Sequence, residues 1–196
     1  MKIDLPLREL GTINSDALIA SIVKTEAEDW EVNKYRQQTY DAHHSTKSLV
    51  MLFSETKNWP HITVSREAGW DILAETAQPL IDQIIATHYP PGGLVIRAMA
   101  ARLPSGTIIK PHVDTHPSFK HAHRIHIPIT TNPRVRFSLD GRPYQLQVGQ
   151  AYEVNNQLMH SVLNKGKEDR INFIFDYAPP SHMNNFTFSF SKGVNC

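Results

Sequence analysis

The sequence has little cysteine, no long apolar run and almost no excess charge of either sign. Its only cysteine, Cys196, excludes an internal disulfide framework and a cysteine-rich zinc site. With 20 Lys and Arg against 19 Asp and Glu, the formal net charge is +1, and no run of basic residues could follow a phosphate backbone. We therefore expect no nucleic-acid partner, and any metal site must use nitrogen and oxygen ligands.

Hydrophobic segments long enough for a membrane are missing as well. No stretch approaches the roughly 18 consecutive apolar residues of a membrane span, and the opening residues MKIDLPLREL contain no apolar core of a secretory signal. The expectation is a soluble, cytoplasmic protein without a membrane partner.

Hydrophobic periodicity divides the chain into two parts. Residues 15–29 and 68–87 carry apolar side chains at helical spacing, so both segments are predicted to be helices. Between them, Lys47–Phe53 has the length and composition of a buried strand. We therefore predict a lead-in of helices and a strand over residues 1–93.

From Leu94 onward, short strand-like runs alternate with turns, and Asp140-Gly141 is a strong hairpin signal. This pattern predicts a mainly β fold, a jelly-roll barrel over residues 94–180 with the N-terminal helices packed outside it. The tail at 181–196 fits a loop, an edge strand or disorder. All 196 residues, 40% of them hydrophobic, are expected to form one domain.

Histidine is concentrated in one segment, because five of the eleven histidines lie between His112 and His126. His112 and Asp114 are two residues apart, so on an extended strand both point to the same side. A third candidate ligand, His160, opens a later strand-like run. Two imidazoles and one carboxylate on one face of a metal, with the other face open, form the ligand set of non-haem Fe(II) oxygenases.

Polar side chains of two strand-like runs are predicted to face the same cavity. Strand alternation sends Arg170, Asn172 and Ile174 of the run RINFIFDY to one side, where a strand next to that of the last histidine would direct the guanidinium inward. Arginine forms a planar fork that holds a carboxylate with two hydrogen bonds. In the run HRIHIPI, alternation places Arg124 and His126 opposite the three isoleucines.

Together, His112-x-Asp114, His160 and Arg170 resemble the signature of Fe(II)/2-oxoglutarate-dependent dioxygenases, whose fold is a double-stranded β-helix, a cupin-like jelly roll. The segments HRIHIPI and DRINFIFDYAPP are similar to the Arg-x-His strand and the closing strand of the aspartyl/asparaginyl β-hydroxylase-like family. The resemblance covers roughly Leu94 to Pro180. In the eponymous hydroxylases the metal carboxylate is missing, whereas Asp114 supplies it here, so their substrate is not carried over.

The resemblance implies an enzyme that uses Fe(II), 2-oxoglutarate and O2. Such an enzyme would hydroxylate an unactivated C–H bond of an amino acid, a peptidyl residue or a small acidic metabolite, and would release succinate and CO2. The implied roles are Fe(II) binding by His112, Asp114 and His160, 2-oxoglutarate binding by Arg170 and His126, and binding of a substrate carboxylate by Arg124.

Two other hypotheses stay open: a cupin-type module that binds a metal or a small ligand without oxygenase activity, and a scaffold whose histidines bind zinc. A binding module has no need for Arg170, and Asp114 without an obvious fourth ligand argues against closed tetrahedral zinc. The other histidines of the cluster, His116, His121 and His123, are predicted to belong to a loop over the metal.

Overall fold

A computed structural model of the chain describes residues 1–39, 41–55 and 57–192. The helices are α1 (Asp16–Val23), α2 (Tyr35–Thr39) and α3 (Gly69–His88). The strands are β1 (Leu7–Thr12), β2 (Lys47–Glu55), β3 (His61–Arg66), β4 (Leu94–Leu103), β5 (Ile108–His112), β6 (His123–Thr130), β7 (Val135–Leu139), β8 (Arg142–Tyr144), β9 (Gln150–Val154), β10 (His160–Asn164), β11 (Arg170–Ala178) and β12 (Thr187–Lys192).

The strands form two sheets that face each other. The main sheet has eight strands in the order β1-β9-β6-β11-β4-β2-β3-β12, and the smaller sheet has four in the order β5-β10-β7-β8. Strand β12 runs parallel to β3, while the other paired strands are antiparallel. The prediction of a mainly β, jelly-roll fold is confirmed.

The outer face of the main sheet is apolar and carries the helices. Alternate residues of β6 and β11, among them Ile125, Ile127, Phe173 and Phe175, are fully buried in one core with residues of α1 and α3. Helix α3 lies so close to β2 that a Cβ at Gly69 would come within 2.5 Å of a backbone oxygen. The helices therefore pack outside the barrel, as predicted.

A second, smaller core fills the space between the two sheets. It contains Phe137 and Leu139 of β7, Val162 of β10 and Tyr152 of β9. The rest of the inner face of β6 and β11 is mainly polar, with Pro128 and Ile174 as exceptions, and the predicted site residues lie there. The alternation that was read from the sequence thus separates an apolar outer face from a polar inner face.

The lead-in and the tail differ in detail from the sequence prediction. The first helix ends at Val23 rather than near residue 29, because the hydroxyl of Thr25 bonds the Ile22 carbonyl at 2.7 Å and accepts a bond from the Trp30 ring nitrogen at 2.8 Å. In the tail, Thr187–Lys192 forms an edge strand.

The predicted hairpin joins β7 and β8. Asp140 and Gly141 have φ values of 52° and 74°, as a tight turn with two left-handed residues requires. Over the residues described, no helix combines the length and the apolar character needed to cross a membrane.

Candidate metal centre and active site

Three side chains predicted to bind a metal meet at one end of the smaller sheet. His112 ends β5 and His160 begins β10, and the two residues are cross-strand partners whose ring centroids lie 4.2 Å apart. Asp114 follows two residues after β5, with Oδ1 3.8 Å from Nε2 of His112. One ligand atom from each of the three lies within 4.8 Å of the others. The fold therefore assembles the triad from residues up to 48 positions apart in sequence, from His112 to His160.

Backbone carbonyls set the tautomers of both imidazoles. Nδ1 of His112 lies 2.8 Å from the Lys110 carbonyl, and Nδ1 of His160 lies 2.9 Å from the Leu158 carbonyl. Because a carbonyl oxygen can only accept, each Nδ1 donates, and in the neutral ring this leaves the lone pair on Nε2. Burial lowers the pKa of His160, which favours its neutral form. A neutral ring held in this orientation is what a metal ion needs.

The donor set fits Fe(II) and leaves room for reactants. In the described part of the chain, the triad is the single group of three or more His, Cys, Asp or Glu side chains whose ligand atoms converge. Two nitrogens and one oxygen leave several positions open on a six-coordinate metal. His112 and Asp114 line a cavity of about 920 Å³, so other molecules have room to bind beside the triad.

Arg124, predicted to bind a substrate carboxylate, lies in this cavity between two buried carboxylates. Its Nη1 donates to Oδ2 of Asp114 at 2.6 Å. Its Nε and Nη2 donate to the two oxygens of Asp176, both at 2.8 Å. On the next strand, Arg97 lies 3.9 Å from Asp176, and the Phe119 ring covers both guanidinium groups.

The two residues predicted to bind 2-oxoglutarate lie further along the inner face. His126 is buried, and its Nδ1 is 2.9 Å from the amide nitrogen of Asn172. Arg170, at the start of β11, is 5% exposed and borders a small cavity with Phe137 and Tyr144. Burial lowers the pKa of Arg170 to about 10. The structure thus places both residues on the same face of the main sheet as Arg124 but does not test their roles.

The remaining histidines of the cluster lie outside the triad. His116 precedes a short 3₁₀ turn, Pro117–Lys120, and lines the cavity together with Pro117 and Phe119. His121 stacks on Trp59, with 5.5 Å between ring centroids. For His123 the prediction of a loop over the metal is wrong: this residue begins β6 and points to the outer face of the sheet, where its Nδ1 is 2.5 Å from Glu153.

The sequence analysis missed residues that only the fold brings to the cavity. Tyr35 of α2 and Phe53 of β2 line its wall, and the ring of His43 lies 4.9 Å from that of His112. The sequence analysis also did not identify Asp176 as the partner of Arg124. Strand alternation puts Asp176 on the same face as Arg170, but the strand register that pairs Asp176 with Arg124 cannot be read from the sequence.

Three solved structures resemble the chain in fold. An oxidoreductase of the 2OG-Fe(II) oxygenase family from Burkholderia pseudomallei is 10% identical, with a TM-score of 0.51, over 68% of this chain and 66% of that chain. A prolyl-4-hydroxylase from Pseudomonas putida is 12% identical, with a TM-score of 0.52, over 90% and 94% of the two chains. The non-heme monooxygenase ThoJ is 15% identical, with a TM-score of 0.53, over 89% and 74%.

At these identities, the likeness shows a shared fold. The chain spans just under two thirds of the length of the Burkholderia protein. No curated protein matches the sequence. The family model described as Aspartyl/Asparaginyl beta-hydroxylase, in contrast, matches residues 14–180, which is most of the chain and includes every predicted site residue. The protein therefore belongs to the aspartyl/asparaginyl β-hydroxylase family.

Proposed function

We propose that this protein is an Fe(II)- and 2-oxoglutarate-dependent dioxygenase. It hydroxylates an unactivated C–H bond of an amino acid, a peptidyl residue or a small acidic metabolite, and releases succinate and CO2. His112, Asp114 and His160 hold the metal. Bound iron, with 2-oxoglutarate and O2, supplies an oxidising power that no amino-acid side chain has. Two neutral ligands and one carboxylate leave a net positive charge on the metal site, which favours an anionic cosubstrate.

The main support for the proposal is the environment of the buried Arg170 side chain. Among the described residues, its side chain has no ion-pair or hydrogen-bond partner, although it is 5% exposed. A pKa of about 10 still leaves the guanidinium charged at pH 7. A buried charge without a partner is costly, so the group is explained best by an anion that the protein binds from solution. The far carboxylate of 2-oxoglutarate matches the planar fork of arginine.

His126 supports the same assignment. The Asn172 amide nitrogen can only donate, so Nδ1 of His126 accepts this bond and Nε2 carries the proton. The ring therefore carries its N–H on the inner face, and an N–H is the kind of group that bonds a carboxylate. On the same face, Oδ1 of Asn172 is buried without a hydrogen-bond partner.

The cavity supports a substrate with a carboxylate. Arg124 has five N–H donors, and its bonds to Asp114 and Asp176 use three of them. Two N–H groups are left to bind an anionic group of the substrate. The cavity volume of about 920 Å³ lies near the upper end for small-molecule sites, so a peptide side chain with its flanking groups also fits.

The test is a titration of 2-oxoglutarate into the Fe(II)-loaded protein without O2, followed by the visible absorbance that forms on chelation. We expect Arg170→Ala to keep its iron but to bind 2-oxoglutarate about ten- to a hundredfold more weakly, because a charge-assisted contact contributes roughly 1.5–3 kcal/mol. Arg170→Lys should recover only part of the loss, since an ammonium keeps the charge without the fork.

Arg102→Ala is the matched control, because Arg102 pairs with Asp169 and its side chain is 35% exposed. This variant should bind 2-oxoglutarate as the wild type does. A folded Arg170→Ala protein with wild-type affinity would contradict the proposal and would favour a cupin-type binding module. Succinate formation across a panel of amino acids and peptides then identifies the substrate.

A further inference from the structure

The backbone around Asp114 is held, but its carboxylate needs a separate support. The Asp114 N–H donates to the Asn156 carbonyl at 3.2 Å, and the Gln157 side chain donates to the Asp114 carbonyl at 3.3 Å. These bonds fix the main chain and leave rotation about the side-chain bonds. The contact between Oδ2 and Nη1 of Arg124, at 2.6 Å, restrains the carboxylate itself, while Oδ1 stays on the side of His112.

Arg124 is held in turn by Asp176. The two residues are cross-strand partners on β6 and β11, and their two parallel hydrogen bonds define the plane of the guanidinium. Asp176 is 1% exposed. The Phe119 ring packs against the group, with its centroid 4.3 Å from the guanidinium carbon. The guanidinium therefore has little freedom to follow Asp114 if the carboxylate moves.

Charge balance gives Asp176 a second effect. A buried arginine with a single carboxylate neighbour would form a full ion pair with that carboxylate. The arginine would then compete with a metal for the lone pairs of the carboxylate oxygens. Asp176 shares the charge of Arg124, so Asp114 is restrained without being fully neutralised. The arrangement thus separates the two oxygens of Asp114, with one bound to the arginine and the other next to the histidines.

We infer that Asp176 and Arg124 are positioning residues for the metal carboxylate. Asp176 fixes the guanidinium, which occupies one oxygen of Asp114 and presents the other to the metal beside His112 and His160. Neither residue binds the metal itself. This inference rests on the metal site of the proposed function.

The test measures metal affinity directly, by titrating Mn²⁺ into the metal-free protein and recording the electron paramagnetic resonance signal of free Mn²⁺. We expect Asp176→Asn to weaken Mn²⁺ binding by about tenfold to a hundredfold, the usual effect of removing a partner that orients a metal ligand. Substrate turnover is not needed for this readout.

Arg124→Gln separates positioning from simple electrostatics, because the two predict opposite signs. Removing a positive charge next to a cation site should strengthen Mn²⁺ binding if only charge matters. If Arg124 positions Asp114, the same change should weaken binding. Should Arg124→Gln not fold because Asp176 has lost its two hydrogen bonds to Arg124, the double variant Arg124→Gln/Asp176→Asn removes both charges. It should lose about as much affinity as Asp176→Asn alone, since the two residues act as one unit.

Glu153→Gln is the matched control. Glu153 is 1% exposed and pairs with Arg8 and His123, so this variant also loses a buried, paired carboxylate, but on the outer face of the sheet. It should lose stability and keep its Mn²⁺ affinity. Equal or tighter Mn²⁺ binding by Arg124→Gln, or wild-type binding by Asp176→Asn, would overturn the inference alone. No Mn²⁺ binding by the wild type would overturn the metal site as well.

Discussion

Two buried arginines on the inner face of the barrel, Arg124 and Arg170, have opposite surroundings. Burial alone would lower the pKa of Arg124, but the carboxylates of Asp114 and Asp176 outweigh burial and raise it. For Arg170, burial acts unopposed and lowers the pKa to about 10. A charge that the protein compensates can serve as part of its framework, whereas a charge that it leaves uncompensated is available to a ligand.

The largest effect should come from breaking the triad beside Arg124. We expect His112→Ala or His160→Ala to abolish stoichiometric iron binding and all 2-oxoglutarate turnover, because the two remaining ligands form too weak a site. His61→Ala, which removes an exposed histidine of β3, should change neither quantity. Stoichiometric iron with retained turnover in either triad variant would show that the ligands are assigned wrongly.

The next prediction compares how replacing each of the two arginines changes the free energy of unfolding of the metal-free protein. Arg124→Met removes three hydrogen bonds to two buried carboxylates, Asp114 and Asp176, so the free energy of unfolding should fall by about 3–5 kcal/mol. Arg170→Met removes an uncompensated charge whose burial lowers the pKa to about 10, which corresponds to a cost on the order of 3 kcal/mol. Its free energy of unfolding should therefore equal or exceed that of the wild type.

Urea denaturation of both variants at pH 7 makes this measurement. The comparison fails if Arg170→Met loses as much stability as Arg124→Met. That result would mean that Arg170 is part of the framework, and it would remove the main support for an anionic cosubstrate.

The sequence predicted residue types and strand faces better than it predicted partners. Alternation along β6 and β11 correctly separated Arg124 and His126 from the buried isoleucines, because a strand has a fixed period of two. The pairing of Arg124 with Asp176 depends on strand register, which no local pattern encodes. The contact between His43 and His112 depends on packing between segments that are distant in sequence, which no local pattern encodes either. Ligand spacing is local information, and the surroundings of a ligand are not.

The smallest effect concerns pH, and it separates His116, which lines the large cavity, from Arg170, which borders the small one. Nδ1 of His116 accepts a hydrogen bond from the Ser118 N–H at 3.1 Å, which caps the 3₁₀ turn Pro117–Lys120. Burial, followed by the charge of Arg97, lowers the pKa of His116 to about 4. The protonated ring cannot accept this bond, so acid should loosen this turn.

The sign follows from proton binding in the two states. Between the unfolded value of 6.5 and about 4, the unfolded chain binds a proton at His116 and the folded protein does not, so stability rises with pH across this window and is complete above it. The ring is only half buried, so solvent screening makes the effect smaller than the full pKa shift would give.

His116→Asn keeps a capping acceptor that does not titrate. Urea denaturation at several pH values from 4.5 to 7 should therefore show a shallower pH dependence for His116→Asn than for the wild type. Arg170→Met should keep the wild-type slope, because its guanidinium does not titrate in this range. Parallel slopes for His116→Asn and the wild type would mean that the capping bond does not respond to acid.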